Sequence, residues 1–414
     1  MHVTASQLLL YIASATAISP TQVILERQCW IEHTLVSASH YTSKSGQEYV
    51  YPVYKFIQPQ PKDYSPWSRA PVCTPKLSSI DDILCIYSSS SFGSGRGISI
   101  FTTPLAAKQF LELPAFKHKL ALQERDVNVP TDVWRASSIP NKGIGLIASK
   151  PLEFGDRIMS YTPVFMAYLE GELSPLDRET WWRYAIDQLP ERSRDEFLNL
   201  ARILHDDRVM VQEIVKSNTF QMEVGGVNHL TVFLETSRLN HACDPNAQYI
   251  IDVDTLSHTV HATRSIAEGE EISIAYTSPL ESTHQRQEKL QTSFHFTCSC
   301  PRCTSPSSDM TLAKIQALQN QLNDWSAPLV GSPEIAEQNL QLHRDEGLEG
   351  FMDIAYGFAA LAYSAAGDKA GATSYAQKAR QAILMKDGSW SANYRIWEDM
   401  LKDVHAHWSW QRRM

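Results

Sequence analysis

The sequence predicts an α+β fold in which short antiparallel strands form the middle of the chain and helices form its last quarter. Short β-branched runs bounded by Pro, Gly, Asp or Ser recur between residues 131 and 280, as expected for strands and tight turns. Apolar residues at helical spacing interrupt these runs over about 170–217, and helical patterns fill residues 309–414. The central domain is therefore predicted to be a set of small sheets with a helical insert.

The composition is that of a globular protein. The chain has 414 residues, 43% hydrophobic and 20% charged, a length that corresponds to about two to four domains. A formal charge of −9 and a pI near 5.9 argue against direct nucleic-acid binding, which needs clustered Lys and Arg. No apolar run reaches the ~18 residues of a membrane span, so none is expected. An acidic surface tolerates a basic polypeptide partner, although it equally serves solubility alone.

The N-terminus has some features of a secretory signal. Residues 8–18 form a short apolar stretch with small residues, similar to the apolar region and cleavage site of a signal. The segment before it contains His2 but no Lys or Arg, and a buried first helix is an equal alternative. Residues 1–18 are therefore a candidate signal peptide. The protein would be secreted or endomembrane if the signal is real, and cytoplasmic or nuclear otherwise.

Residues 19–130 form an N-terminal region of mixed structure and unassigned role. Six prolines between residues 52 and 75 predict irregular structure. Two β-branched runs at 83–87 and 97–102 predict a hairpin, and residues 104–127 have helical spacing. Three cysteines in the N-terminal third have no informative spacing: Cys29, Cys73 and Cys85. Two of them would form a disulfide in a secreted chain, and all three would be buried thiols in the cytosol.

The remaining elements follow from local pattern. Strands are predicted in the central domain at 134–137, 146–149, 157–161, 231–234, 248–253, 260–264 and 271–276. Helices are predicted after it at 312–325, 333–343, 351–366, 369–384 and 394–405. Residues 355–379 resemble one tetratricopeptide-type hairpin with small residues at the helix crossing. No second copy is evident, so a helical C-terminal domain is predicted rather than a solenoid.

Four later cysteines predict a structural zinc site. Cys298, Cys300 and Cys303 are separated by one and two residues, a spacing at which thiolates can surround one tetrahedral ion. Cys243 is the best candidate for the fourth ligand. A closed four-cysteine site is structural, because the free energy of zinc binding adds to that of folding. Packed or disulfide-bonded cysteines are the alternative.

Four motifs follow one another between residues 143 and 303. They are Gly143-Ile144-Gly145, Asn240-His241-Ala242-Cys243-Asp244-Pro245-Asn246, Gly269-Glu270-Glu271-Ile272-Ser273-Ile274-Ala275-Tyr276 and the cysteine triplet. Together they resemble a SET-domain lysine methyltransferase over residues 131–305, with 281–305 as its post-SET zinc segment. The helical C-terminus and Asn218-Thr219-Phe220 extend the resemblance to SET and MYND domain methyltransferases of a fungal type. The MYND zinc module itself is missing, since residues 150–217 contain no cysteine.

The resemblance implies S-adenosylmethionine as cofactor and a protein or peptide lysine as acceptor. The positions that it assigns to the cofactor are Lys142, Gly143, Ile144, Gly145, Asn218, Asn240, His241 and Phe296. It assigns Ser237 and Phe294 to the substrate channel, although the family often has tyrosine where Phe294 stands. Tyr276 takes the catalytic position, with its hydroxyl beside the transferred methyl group. The glycines would allow positive φ or close approach of the backbone to the cofactor.

The same residues are compatible with other interpretations. The glycine turn alone is compatible with an ordinary hairpin, the Asn–His pair with a satisfied buried pair, and Tyr276 with a core residue that ends a strand. At the level of function, the alternatives are a SET-fold binding or regulatory module with little turnover, and a methyltransferase that acts on a small-molecule nucleophile.

Overall fold

The computed structural model describes residues 64–413, except 119, 327 and 330. Small sheets and a helical insert precede a C-terminal run of helices, which confirms the α+β prediction. Within the described residues, none of the helices combines the length and apolarity that crossing a membrane requires. The candidate signal peptide, residues 1–18, and Cys29 lie outside the described residues.

The strands are β1 Val72–Cys73, β2 Cys85–Ser89, β3 Ile98–Thr102, β4 Trp134–Ile139, β5 Gly143–Ala148, β6 Arg157–Tyr161, β7 Phe165–Tyr168, β8 Thr219–Val224, β9 Val227–Val232, β10 Asn240–His241, β11 Ala247–Asp252, β12 Ser257–Ala262 and β13 Glu271–Ile274. The helices are α1 Pro104–Glu112, α2 Pro114–Lys117, α3 Pro175–Asp187, α4 Glu191–Leu198, α5 Met210–Asn218, α6 Thr283–Lys289, α7 Pro301–Thr304, α8 Ser308–Asn323, α9 Ser332–Asp345, α10 Asp353–Ala365, α11 Lys369–Lys386 and α12 Ala392–Lys402. Short helical turns lie at Phe92–Gly95, Gln123–Arg125, Asp207–Val209, Thr236–Arg238, Leu290–Phe294 and Glu349–Phe351.

The largest sheet joins the N-terminal region to the central domain. Its six strands run in the order β1-β2-β3-β7-β9-β8. The antiparallel pair β2 and β3 is the predicted hairpin, and β3 continues into the sheet by parallel pairing with β7. Residues 72–102 therefore contribute three strands to the sheet that carries β7 to β9. Cys73 and Cys85 face each other across β1 and β2 and form a disulfide.

The predicted helical stretch at 104–127 is broken, and the reason is local. Leu113 has extended backbone angles because the residue before a proline avoids the helical region, and Pro114 then begins α2. Thr103 accepts a hydrogen bond from the Ala106 N–H and so begins α1.

Two smaller sheets complete the central domain. One has the strand order β10-β13-β5-β4 and the other β11-β12-β6. Their buried apolar residues share one core, to which Leu146, Ile158, Val260 and Ile272 contribute. The pairing of β10 with β13 is parallel, whereas β13 pairs antiparallel with β5.

The helical insert covers the six-stranded sheet. Ser174 caps α3 by accepting from the Asp177 N–H, and Pro175 occupies its first position. Trp182, Phe197 and Ile214, one from each of α3, α4 and α5, are buried against the core that also contains Phe165 of β7. The insert was predicted at about 170–217, and α3 to α5 lie within Pro175–Asn218.

Helices α8 to α12 correspond to the five predicted C-terminal helices. Alanines permit close packing of α10 on α11, and those with less than 2% exposure are Ala355, Ala359, Ala360, Ala362, Ala365, Ala372, Ala376 and Ala379. Asp368 caps α11 by accepting from the Gly371 N–H. The resemblance to a tetratricopeptide hairpin stays a prediction.

A buried ion pair connects the cysteine segment to the C-terminal helices. Arg302 of α7 donates from Nε to Oε2 of Glu346 at 2.8 Å, just after the end of α9. The same Glu346 oxygen accepts from Ser308 at 2.6 Å. The other end of the Arg302 side chain donates to the carbonyls of Cys243 and Pro279, so one arginine links three segments.

We expect Glu346→Ala to lower the free energy of unfolding by about 3–5 kcal/mol, because it leaves the buried Arg302 charge without its counterion. The neighbouring Asp345 is exposed, so Asp345→Ala is a matched control that should change stability by less than about 0.5 kcal/mol. Urea unfolding in excess zinc measures both. Equal midpoints for the two variants would contradict the role given to this pair.

Candidate functional site

The turn between β4 and β5 gives two glycines different tasks. Asn141 and Gly143 have positive φ values of 61° and 78°, and nothing lies within 4 Å of where a Cβ on Gly143 would be. A Cβ on Gly145 would come within 2.5 Å of Asn240 Nδ2 and 2.7 Å of Ile139 Cγ1. Gly143 therefore supplies the turn conformation, whereas Gly145 makes room for Asn240.

Glu271 joins the glycine turn to the Asn–His strand. Its two carboxylate oxygens accept from Lys142 Nζ at 2.8 Å and from Asn240 Nδ2 at 2.9 Å. Lys142 Nζ also reaches the His241 carbonyl at 3.4 Å. Residues of three separate motifs are thus brought together on the sheet β10-β13-β5-β4. In this arrangement one of the two N–H groups of the Asn240 side-chain amide is donated to Glu271.

His241 is buried and uses both ring nitrogens inside the protein. Nδ1 accepts from the Tyr276 backbone N–H at 2.9 Å, and Nε2 lies 3.2 Å from Cys243 Sγ. Burial lowers the pKa of His241 to about 3, so the ring is neutral. Any contact of this residue with a cofactor would have to come from its main chain.

Tyr276 lies two residues beyond the end of β13, and its hydroxyl donates to the Leu239 carbonyl at 2.6 Å. Its ring centroid is 4.9 Å from that of Phe294 and 6.5 Å from that of Phe296. His241 lies 6.0 Å from Phe296, again between ring centroids. The three predicted aromatic positions therefore form one cluster around Tyr276, and the His241 ring packs against Tyr276 and Phe296.

A cleft of about 370 Å³, part of it open to solvent, lies against Tyr276. Four of the predicted site residues line it: Asn218, Ser237, Tyr276 and Phe294. Phe220 and Tyr249, whose rings are in edge-to-face contact, also line the cleft. The hydroxyl of buried Thr236, which also lines the cleft, has no hydrogen-bond partner within the described structure.

The side chain of Asn218, which lines the cleft, is hydrogen-bonded inside the protein. Its Nδ2 donates to the carbonyls of Ile214 at 2.7 Å and Ala201 at 2.8 Å, which ends α5 and fixes the preceding loop. Its own carbonyl accepts from Ser237 Oγ at 2.9 Å. The side-chain N–H groups are therefore hydrogen-bonded within the protein. The contact of Asn218 with a cofactor stays a prediction.

The four predicted metal ligands form one cluster. The Sγ atoms of Cys243, Cys298, Cys300 and Cys303 lie within 4.8 Å of one another. Four sulfurs bound to zinc at about 2.3 Å would be about 3.8 Å apart, so the cluster has the size and donor set of a tetrahedral zinc site. Mutual hydrogen bonds lower the pKa of Cys300, chiefly through Cys243, and raise that of Cys243, chiefly through Cys298. A cation bound among the sulfurs would favour the deprotonated form of all four thiols.

Arg286 supplies positive charge beside the thiols. The side chain is fully buried, and its Nη2 lies 4.0 Å from Cys303 Sγ. Burial alone would lower the pKa of Arg286, but the adjacent cysteines raise it overall, so the guanidinium stays charged. Four thiolates around a divalent ion carry net negative charge, which this cation offsets.

Sequence reasoning assigned no role to Glu271, Arg286 or Arg302. Arg302 lies within the Cys-Pro-Arg-Cys run, and Glu271 lies within the Gly269–Tyr276 motif. Their positions in the sequence thus indicated that both residues are close to the site. The partners of these side chains come from distant segments, and local pattern does not identify them.

Comparison with known proteins finds similar sequences that include this part of the chain. Residues 143–277 match the family model of the SET domain. The histone-lysine N-methyltransferase set5 of Schizosaccharomyces pombe is 26% identical over 289 residues, 67% of this chain and 86% of that relative. The histone-lysine N-methyltransferase SET5 of Meyerozyma guilliermondii is 36% identical over 116 residues, 26% of this chain and 22% of its own. The N-lysine methyltransferase SMYD2 of Homo sapiens is 30% identical over 118 residues, 28% of this chain and 27% of its own. The chain thus spans most of the first relative and about a quarter of the other two.

We expect one zinc ion to copurify with each chain. Cys300→Ser should lower both the metal content and the melting temperature, because a hydroxyl is a poor zinc ligand and metal binding contributes to folding. Ser299→Ala, at the exposed neighbouring position, is the control and should change neither. Elemental analysis and thermal unfolding provide the measurements, and folded wild-type protein free of metal would contradict the assignment.

Proposed function

We propose that this SET-domain protein transfers a methyl group from S-adenosylmethionine to a lysine side chain of another protein. The position of Tyr276 is the observation that supports this most. Tyr276 lines the cleft, its ring packs against that of His241, and its hydroxyl donates to the Leu239 carbonyl. One residue thus touches both the space for an acceptor and the motif assigned to the cofactor.

The residues of the glycine turn fit the proposed cofactor. The surface at Gly143 is open, Ile144 is 48% exposed, and a larger residue at Gly145 would displace Asn240. The residues that would hold the cofactor are the 143–145 backbone, Asn240, the His241 main chain and Phe296, with Lys142 nearby. When bound, S-adenosylmethionine supplies a methyl group on a sulfonium that is reactive toward nucleophiles.

The orientation of the Tyr276 hydroxyl determines which hydrogen bond it can make with the amine that receives the methyl group. Because its hydrogen is donated to the Leu239 carbonyl, any hydrogen bond that the hydroxyl makes with an amine in the cleft would use the oxygen as acceptor of an N–H group. An amine held in this way has its own lone pair free for in-line attack, which is the positioning that such a displacement requires. Tyr276 therefore orients the acceptor. A phenol is too weak a base at neutral pH to deprotonate an ammonium group, so the proton passes to water.

The aromatic wall contributes by excluding water. Phe220, Tyr249 and Phe294 surround the cleft with apolar surface that suits the methylene stem of a lysine and favours its neutral amine. Phe294 has no hydroxyl group. The cleft therefore has one hydroxyl group fewer than it would have with tyrosine at position 294.

A protein acceptor is supported by two observations. The relatives are named for lysine methylation of histones or other proteins, and the chain carries a formal charge of −9 that suits a basic polypeptide. Labelled S-adenosylmethionine should therefore transfer its methyl group to the protein fraction of a cell extract. Label that appears only on members of a small-amine panel would overturn the choice of acceptor.

We expect Asn240→Ala and Tyr276→Phe to separate binding from chemistry. Asn240→Ala should weaken cofactor binding and lower activity, because it removes a side chain that supports the cofactor surface in both ground and transition states. Tyr276→Phe keeps the ring, so cofactor affinity should change little while turnover falls by about 10²-fold.

Calorimetry with S-adenosylmethionine and methyl-transfer rates distinguish these effects. Tyr161→Phe removes a hydroxyl from β6 outside the cleft, and this control should leave both quantities unchanged. Full turnover by Tyr276→Phe would disprove its catalytic assignment. If neither Asn240→Ala nor Tyr276→Phe altered binding or transfer, a binding module would be the better description.

A further inference from the structure

We propose that His241 is a positioning residue that couples the four-cysteine site to Tyr276. This inference rests on the proposed function only for the role of Tyr276, and the coupling itself concerns contacts that need neither cofactor nor acceptor. The sequence suggested that His241 binds the cofactor. The coupling is a further role, and it belongs to the side chain of His241.

The hydrogen-bond geometry fixes the tautomer of the ring. The Tyr276 backbone N–H can only donate, so His241 Nδ1, 2.9 Å away, must be the unprotonated acceptor. A neutral imidazole then carries its hydrogen on Nε2. That nitrogen lies 3.2 Å from Cys243 Sγ and donates to it. The ring is thus a directed bridge from the Tyr276 main chain to a metal-ligand sulfur.

Tyr276 needs such a bridge because the strand ladder ends before it. The parallel pairing of β10 with β13 stops at His241 and Ile274, after which the Ala242 N–H donates to the Ile274 carbonyl at 3.0 Å. The His241 ring provides an acceptor for the next backbone N–H that faces this strand. Leu239, two residues earlier, holds the Tyr276 hydroxyl. One short segment therefore fixes Tyr276 at both its backbone and its side-chain tip.

The Cys243 end of the bridge affects the metal. A thiolate that accepts an N–H bond has part of its charge dispersed, and partners of this kind outside the ligand set raise metal affinity and orient the ligand. Metal binding, in turn, fixes the sulfur to which the ring is anchored. The two ends therefore stabilise each other through a ring that is only 4% exposed.

Two substitutions each preserve one half of the bridge. In His241→Asn the side-chain oxygen can stand near the place of Nδ1 and accept from Tyr276, but no donor reaches Cys243. In His241→Gln the longer side chain can place its amide N–H near Nε2 and donate to Cys243, but no acceptor remains for Tyr276. The readouts are zinc release to a chelator and hydrogen exchange of the Tyr276 amide.

We expect His241→Asn to release zinc about 10-fold faster or more while the Tyr276 amide stays protected. His241→Gln should retain zinc like the wild type while the Tyr276 amide exchanges faster. His229 is the matched control, since it is also buried and has both ring nitrogens hydrogen-bonded, to Thr102 and Val227. His229→Asn and His229→Gln should change neither readout beyond any general loss of stability.

The proposal is overturned if both His241 variants change the two readouts alike, or if neither differs from the His229 controls. A measurement on the wild type decides the matter independently of folding of the variants. Nitrogen-15 spectra of the imidazole should show Nε2 protonated and Nδ1 bare, and a ring protonated at Nδ1 would disprove the bridge. None of these readouts depends on methyl transfer, so failure of the proposed enzyme activity would be seen separately.

Discussion

The parallel pairing of β10 with β13 determines where every group of the site stands. This pairing places Asn240 beside Glu271 and over Gly145, and it places His241 beside the Tyr276 backbone. The residues on either side of the strand take part as well, because Leu239 receives the Tyr276 hydroxyl and Cys243 joins the thiol cluster. A strand of only two residues has few ladder hydrogen bonds of its own. Its position is therefore secured by side chains: Glu271 and Lys142 on one side, and the cysteine site on the other.

Buried cations give the cysteine segment its second connection to the rest of the molecule. Arg286 and Arg302 are both buried, yet they meet different needs. Arg286 stands beside the sulfurs and offsets negative charge, whereas Arg302 binds backbone carbonyls and the Glu346 carboxylate of the helical domain. A buried charge of this kind is stable only with its partners in place. The segment between Cys298 and Cys303 is consequently held by the thiol cluster, by the neighbouring Arg286 cation and by an ion pair with the helical C-terminus.

Features with a local origin could be predicted from the sequence. The cysteine spacing, the glycine turn and the strands near 134–161 depend on residues close together in the chain, and the structure contains all of them. Strands β7 and β8 were not predicted. Phe165–Tyr168 has no alternating pattern because three of its four residues are buried, and Thr219–Val224 follows directly on a helix. The hydrogen-bond partners of His241, Asn218 and Glu271 could not be predicted, because they come from segments that meet only in the folded chain. The sequence left open whether two of Cys29, Cys73 and Cys85 form a disulfide and did not indicate which two, whereas the structure pairs Cys73 with Cys85.

The sheet order has a consequence for the time course of folding. Strand β3 can pair with β7 only after residues 165–168 have been synthesised, and β5 can pair with β13 only after residues 271–274. The thiol cluster is complete only once Cys303 has been added. Pairings between such distant segments are slow to form, because the entropy of closing the intervening loops is lost before the contacts compensate for it. During synthesis the ribosome must therefore release nearly three quarters of the polypeptide before the site can assemble. Until then the β-rich half of the nascent chain exposes unpaired strand edges, the state in which growing polypeptides depend most on chaperones.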